Sequence, residues 1–354
     1  MLHAHLQIPR DRFTIDIELT LNTAQVMAVF GPSGCGKTSL LRAIAGLEKQ
    51  AQGTVIMNGI IWQDQQHFLP VHQRDIGFVF QDARLFPHLN VLDNIRFGQR
   101  RQPKNKSLLA LDDAIELLAL TPLLSRSVTT LSGGEKQRVA IARALATTPE
   151  ILLFDEPLAA VDMQHKQEIL SYIQSIHQQL NTPMLYVSHA IDEVAKLSDE
   201  LILMDAGRCL KQGKTVDILS YGQHPLIQTD DTAAIIDASL HEHDEHYGLS
   251  YLSFNGSRIA VQQTQHSKGQ TVRLRILAKD ISLTLSHPDN SSILNILPVV
   301  IDAIEPENTS QVLIRLKAGE HYLLSRITRK SAQQLNLQLG QSVFAQIKAV
   351  SIIN

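Results

Sequence analysis

The chain has 354 residues, enough for two or three domains at roughly 150 residues each. Hydrophobic residues make up 44% and charged residues 19%, which excludes a disordered chain. With 32 basic and 35 acidic residues the net charge is −3, which argues against nucleic-acid binding through bulk charge.

Through the first 220 or so residues, β-branched runs alternate with helical patterns, which predicts an α/β domain. Residues 26–30 read as a buried strand, and residues 39–47 as a helix with Leu40, Leu41, Ile44 and Leu47 on one face. Further buried strands are expected at 76–80, 151–154, 184–187 and 201–204. Leu108, Leu111, Ile115 and Leu118 recur at helical spacing, which marks a helical insert at about 90–128. After Tyr221 the texture changes: His224-Pro225 and the run 230–232 read as a linker. Beyond it, short alternating strands such as Val272, Leu274, Ile276 and Val312, Ile314, Leu316 predict a small β-barrel. Val343, Ala345 and Ile347 continue the alternation, and the pieces 276–282 and 347–351 are faintly alike. The domains expected are 1–225, a linker with a first β part at 226–289, and a barrel at 290–354.

Cys35 and Cys209 cannot form a disulfide framework, which fits a reducing compartment. Residues 1–8 lack a basic segment ahead of an apolar one, so no signal peptide is read. No uncharged apolar run reaches about 18 residues, so the chain is not expected to span a membrane by itself.

Gly31, Pro32, Ser33, Gly34, Cys35, Gly36, Lys37 and Thr38 match G-x-x-x-x-G-K-[ST] between a strand and a helix. There the backbone N–H groups curl around phosphate oxygens, and the following helix, starting near Ser39, adds its positive end. Lys37 is placed to reach the β- and γ-phosphates of ATP, and Thr38 to give a hydroxyl to Mg²⁺. Residues 151–154 run into Asp155 and Glu156, an acid suited to hold Mg²⁺ followed by one suited as general base. Cys35 lies inside this loop, where modification would block ATP.

Residues 131–138, Leu-Ser-Gly-Gly-Glu-Lys-Gln-Arg, resemble the signature of ABC-transporter ATPases. Gln81 resembles the Q-loop, residues 158–162 the D-loop ending in Asp162, and His189 the switch histidine. All occur in family order across residues 31–189, with Ala159 where a serine is common. The resemblance implies an α/β P-loop ATPase domain working as a head-to-tail homodimer. In that dimer Ser132, Gly133 and Gly134 close over the γ-phosphate held by the partner's loop. It also implies that Gln81 links the metal site to the helical insert, that His189 contacts the γ-phosphate, and that Asp162 belongs to the nucleotide site. His189 read alone also fits a hydrogen-bonded histidine at a strand end. Phe13 fits an aromatic stacking on adenine or a core residue of the first strand.

A chain of this kind with a C-terminal β domain resembles importer ATPases, and residues 81–88 resemble their docking region. The segments 291–295, 325–331, 337–340 and 347–351 resemble the Mop/TOBE-like barrel, so the whole chain resembles ATP-binding subunits of bacterial molybdate importers. Ser292, Ser331, Lys348 and Ser351 are candidate donors to a tetrahedral oxyanion, against the alternative of serines at solvent-facing turns. Residues 293–294 stand where the family often has an arginine. The resemblance implies two transmembrane permease subunits and, indirectly, a periplasmic molybdate-binding protein. It also implies a peripheral place on the cytoplasmic face of the inner membrane, and molybdate as a regulatory ligand. An importer ATPase for sulfate, iron or a sugar is the alternative. Residues 241–246, with three histidines and three acids, read as a solvated run or a metal-binding one.

Overall fold

In the computed structural model, residues 1–99, 111–159, 161–221 and 232–353 are described. The chain divides into two compact units, Met1–Gly213 and Lys214–Asn354. The expected boundary at 225 lies outside the described residues, as does residue 108 of the insert helix.

The first unit contains β1 (Leu2–Pro9), β2 (Thr14–Leu21), β3 (Val26–Phe30), α1 (Lys37–Ile44), β4 (Gln52–Met57), β5 (Ile60–Gln63) and β6 (Ile76–Val79). It continues with α2 (Val91–Gln99), α3 (Leu111–Leu117), α4 (Gly133–Leu145), β7 (Ile151–Asp155), α5 (Met163–Leu180), β8 (Met184–Ser188), α6 (Ile191–Leu197), β9 (Glu200–Asp205) and β10 (Arg208–Lys214). The strands form a ten-stranded sheet in the order β5-β4-β1-β2-β10-β9-β3-β8-β7-β6. β9, β3, β8, β7 and β6 pair in parallel, and β3, β7 and β8 are buried at every position, as strands covered on both faces must be. Alternation sorts β7 between two cores. Leu152 and Phe154 join one that includes residues of α2 to α5, while Ile151 and Leu153 join one built with β1, β2 and α1.

The second unit holds α7 (Thr215–Tyr221), β11 (Ala233–Asp244), β12 (Leu249–Phe254), β13 (Ser257–Gln262), β14 (Thr271–Leu277), β15 (Ile281–Thr284), β16 (Asn295–Pro306), β17 (Gln311–Ala318), β18 (His321–Thr328), α8 (Arg329–Gln334), β19 (Ser342–Ile347) and β20 (Ser351–Ile352). Two five-stranded sheets, β13-β12-β11-β14-β20 and β15-β19-β16-β17-β18, share one hydrophobic core. The chain leaves the first sheet through a 3-10 turn at Ala278–Asp280 and returns through residues 348–350. The two faintly alike segments span these crossovers, which touch where the Lys348 N–H donates to the Asp280 carbonyl at 2.8 Å. Leu313 alternates with Val312 and Ile314 and so points away from their core, yet it is buried because Ala278 and Leu324 cover it.

Candidate active site

β3 ends where the phosphate-loop motif begins, and the loop is tightly confined. A Cβ on Gly31 would lie 2.1 Å from the Met204 carbonyl oxygen. Gly36 has φ +111° and a Cβ there would meet Ile15 Cδ1 at 2.7 Å, so only glycine fits. α1 has no side-chain cap and no acid in its first turn, so its amide end competes with no carboxylate of its own for an anion. Lys37, 4% exposed, donates through Nζ to the carbonyls of Gly31 (2.9 Å) and Pro32 (3.0 Å).

β8 lies beside β3 and β7 beside β8, all parallel, so their C-terminal ends deliver the acids and the histidine to the same edge of the sheet. The Thr38 hydroxyl donates to Asp155 Oδ1 at 2.8 Å. Burial pushes the Asp155 carboxyl above its ordinary range, with the Thr38 bond acting the other way. The Glu156 N–H continues the ladder to the Val187 carbonyl at 3.0 Å, and its φ of +45° turns the side chain out of the strand. Glu156 Oε1 lies 3.6 Å from Lys37 Nζ and Oε2 3.1 Å from His189 Nδ1. Lys37, Thr38, Asp155, Glu156 and His189 therefore form one constellation. Burial also raises the Cys35 thiol, with Lys37 opposing it, so this cysteine is not a ready thiolate.

The remaining predicted residues sit elsewhere. Ser132 caps α4 by accepting from the Glu135 N–H at 3.2 Å, while Glu135 Oε2 accepts from the Ser132 N–H at 2.7 Å. Gly133 and Gly134 form the first turn behind that cap, and a Cβ on Gly134 would touch His165 at 3.4 Å. Asp162 caps α5 by accepting from the His165 N–H at 3.2 Å. Gln81 lines a groove of about 430 Å³ with Leu85, Gly133 and Gln137; Arg143 braces this region by donating to the Ala83 and Arg84 carbonyls at 2.9 and 2.8 Å. Phe13 is half-buried beside the second core, and its ring fills the space that a Cβ on Gly207 would need.

In the second unit Ser292, Lys348 and Ser351 line one cavity of about 640 Å³ with Leu294 and Asn295. Ser331 does not join them: it lies on α8, its hydroxyl 2.8 Å from that of Thr328. His243 is taken up by the Ser250 hydroxyl (2.8 Å) and the His266 carbonyl (3.0 Å). Among the described residues no cluster of His, Cys, Asp and Glu is arranged to hold a metal ion. Among them, too, no helix is long and apolar enough to cross a membrane. Sequence reasoning passed over Glu193, a buried acid that touches β8, the strand that ends one residue ahead of His189. Its signal was an acid one position ahead of the apolar run Val194-Ala195 of a short helix.

The ABC transporter family matches residues 15–159, and the TOBE domain family residues 291–353. The chain is 44% identical over 353 residues to "Molybdenum import ATP-binding protein ModC" of Methylococcus capsulatus, covering 99% of each chain. It is 45% identical over 357 residues to the protein of that name from Pseudomonas syringae pv. tomato, again covering 99% of each. "Molybdenum import ATP-binding protein ModC 1" of Azotobacter vinelandii is 43% identical, covering 99% of this chain and 98% of that one. Among solved structures, the dimeric ATP-binding cassette MJ0796 in a post-hydrolysis state with ADP and Pi is similar at 25% identity and a TM-score of 0.52, covering 61% of this chain and 99% of that one. A bacterial Atm1-family ABC exporter with ATP bound is similar at 28% identity and a TM-score of 0.52, covering 64% of this chain and 40% of that one.

Proposed function

Because this chain belongs to the molybdenum import ATP-binding proteins of the ABC transporters, we propose that the Lys37–Asp155–Glu156–His189 constellation hydrolyses ATP to drive molybdate uptake. The protein is an ATP-hydrolysing subunit of a molybdate importer, and its first unit binds ATP. The observation that carries the residue roles is the convergence of Glu156 on both Lys37 and His189.

The residues divide the chemistry among them. The amides of residues 31–39 and the Lys37 ammonium hold the β- and γ-phosphates, and Lys37 exchanges its two loop carbonyls for phosphate oxygens. Glu156 takes a proton from the attacking water. His189, bonded to Glu156, keeps that carboxylate aimed and donates toward the γ-phosphate. The Thr38 hydroxyl and the Asp155 carboxylate meet at 2.8 Å, and a buried, desolvated carboxylate suits a hard cation such as Mg²⁺, with the Gln81 amide, which lines the groove, as a third oxygen donor in this reading. When bound there, Mg²⁺ offsets the phosphate charge.

We read the Ser132–Gly134 helix end as the second half-site. It closes over a nucleotide held by another copy, so that two chains sandwich ATP head to tail, with Asp162 at their junction. In this reading the Gln81 groove of each copy docks one of two transmembrane permease subunits at the cytoplasmic face of the inner membrane, fed by a periplasmic molybdate-binding protein. Ser292, Lys348 and Ser351, and not Ser331, are the group best placed to take molybdate as a regulatory oxyanion.

The test is uptake of labelled molybdate, with labelled sulfate beside it, by cells carrying Lys37→Ala. Loss of molybdate uptake alone is expected. Loss of sulfate uptake in its place would move the chain to another importer.

A further inference from the structure

Glu193, in the first turn of α6, is 3% exposed and belongs to none of the motifs. Its Oε2 accepts from the Tyr186 hydroxyl and from the Ser188 hydroxyl, both at 2.8 Å. Its Oε1 lies 2.6 Å from Nζ of Lys166, on α5. The Ser188 hydroxyl in turn accepts from the Ala190 N–H at 3.0 Å. Serine has one proton to give; Glu193 takes it, which leaves the oxygen lone pairs for Ala190. Burial and the Glu193 charge hold the Tyr186 hydroxyl well above its ordinary range, so it stays a donor. His189 thus sits between two residues, Ser188 and Ala190, that one carboxylate pins.

The pinned segment joins two parts of the site. Lys166 follows Asp162, the cap of α5, by about one helical turn. On the other side His189 meets Glu156 at 3.1 Å, and Glu156 meets Lys37 at 3.6 Å. Polar contacts run from α5 to Ser188 and from His189 to the phosphate loop, and the one covalent step between Ser188 and His189 joins the two runs. A buried carboxylate is costly to keep, and apolar residues of similar volume often replace a buried ion pair without loss of stability. Stability alone therefore does not account for it.

We propose that Glu193 is a positioning residue, which fixes the His189 loop against Glu156 and ties that loop to α5. Movement at the Asp162 end of α5 is then passed to His189 through Lys166, Glu193 and Ser188. The inference rests on Glu156 and His189 being the hydrolytic pair.

The test uses the full-length chain with Glu193→Gln, Glu193→Ala, Ser188→Ala, Lys166→Met and the double Lys166→Met/Ser188→Ala, beside Glu156→Gln. Glu193→Gln keeps an oxygen for the two hydroxyls and removes the ion pair. Turnover is expected to fall about tenfold in Ser188→Ala and Glu193→Ala and less in Glu193→Gln, as is usual when the support of a reacting group is lost. ATP binding should stay at full stoichiometry with KM changed less than about twofold. The double variant should lose no more than Ser188→Ala alone, since both act through one carboxylate. Wild-type turnover in both Glu193 variants, with Glu156→Gln inactive, would overturn the inference and leave the hydrolytic reading standing. So would a loss of ATP stoichiometry that matches the loss of turnover, because that marks a purely structural role. Normal turnover in Glu156→Gln would instead overturn the hydrolytic reading itself.

Discussion

Asp155 carries a charge that its surroundings resist. Burial raises its pKa above the ordinary 3.8, so the folded state holds the carboxyl proton more tightly than the unfolded chain does. The sign follows: the contribution of this one group to stability is fully present below about pH 4 and is lost as pH rises through the raised folded value. Asp155→Asn keeps an oxygen for the Thr38 hydroxyl without the charge. In the nucleotide-free protein it should melt higher than the parent at about pH 7.5, by a margin that narrows toward pH 4, as thermal unfolding across that range would show. Glu156, the neighbour, bears a second kind of tension, a left-handed φ of +45° that glycine would adopt more easily. Residues of this sort were legible in the sequence because their chemistry sits in consecutive positions, a loop of eight residues and an acidic pair. Glu193 was not, since its partners Tyr186, Ser188 and Lys166 come from β8 and α5, and a lone acid in a helix reads as a solvated one.

At the scale of elements, α1 is held at both ends. Its amide end faces the phosphate loop, and its carbonyl end is gathered by Arg74, 5% exposed, which donates to the carbonyls of Ala43 (3.3 Å), Ile44 (2.6 Å), Trp62 (3.2 Å) and Leu69 (2.9 Å). The guanidinium also lies 4.9 Å from the Phe68 ring centroid. Burial pulls Arg74 down to about 10, which leaves it charged at neutral pH and suited to the negative end of the helix. Gly46, at φ +77°, makes the room, since a Cβ there would sit 2.7 Å from Arg74 Cζ. Arg74→Ala should cost about 2–4 kcal/mol of stability in a denaturant melt, because it strands buried carbonyls. Arg74→Lys should recover little, as a point charge cannot span the four acceptors. The helix and its flanking strand followed from periodicity, but Leu47, expected on the apolar face, lies beyond the last residue Ile44 and is exposed. The arginine that ties the helix to β5 did not follow from periodicity, because it lies about thirty residues on, where an exposed basic residue is the usual reading.

On the whole-molecule scale, the second unit is not two blocks in series. β20 completes the sheet begun by β11 to β14, and β15 opens the sheet finished by β16 to β19. The alternating patterns of 272–276 and 343–347 announced strands, yet alternation carries no record of which sheet a strand joins. The match to residues 291–353 consequently covers strands whose partners lie outside it. Residues 214–354 expressed alone should fold, with dispersed amide NMR signals and a cooperative melt, whereas 291–353 alone should do neither, lacking β11 to β15.

The paired crossovers also impose an order in time. β14 cannot gain β20 until the chain has gone through all of β15 to β19 and come back beside Asp280. This contact has a long loop to close and few neighbours to help it, so it belongs late in folding. Until then the outer edge of β14 lies open, a template for any passing strand. Short as it is, β20 pairs with Leu274 and Arg275 of that edge and so takes part of its backbone out of reach of another strand.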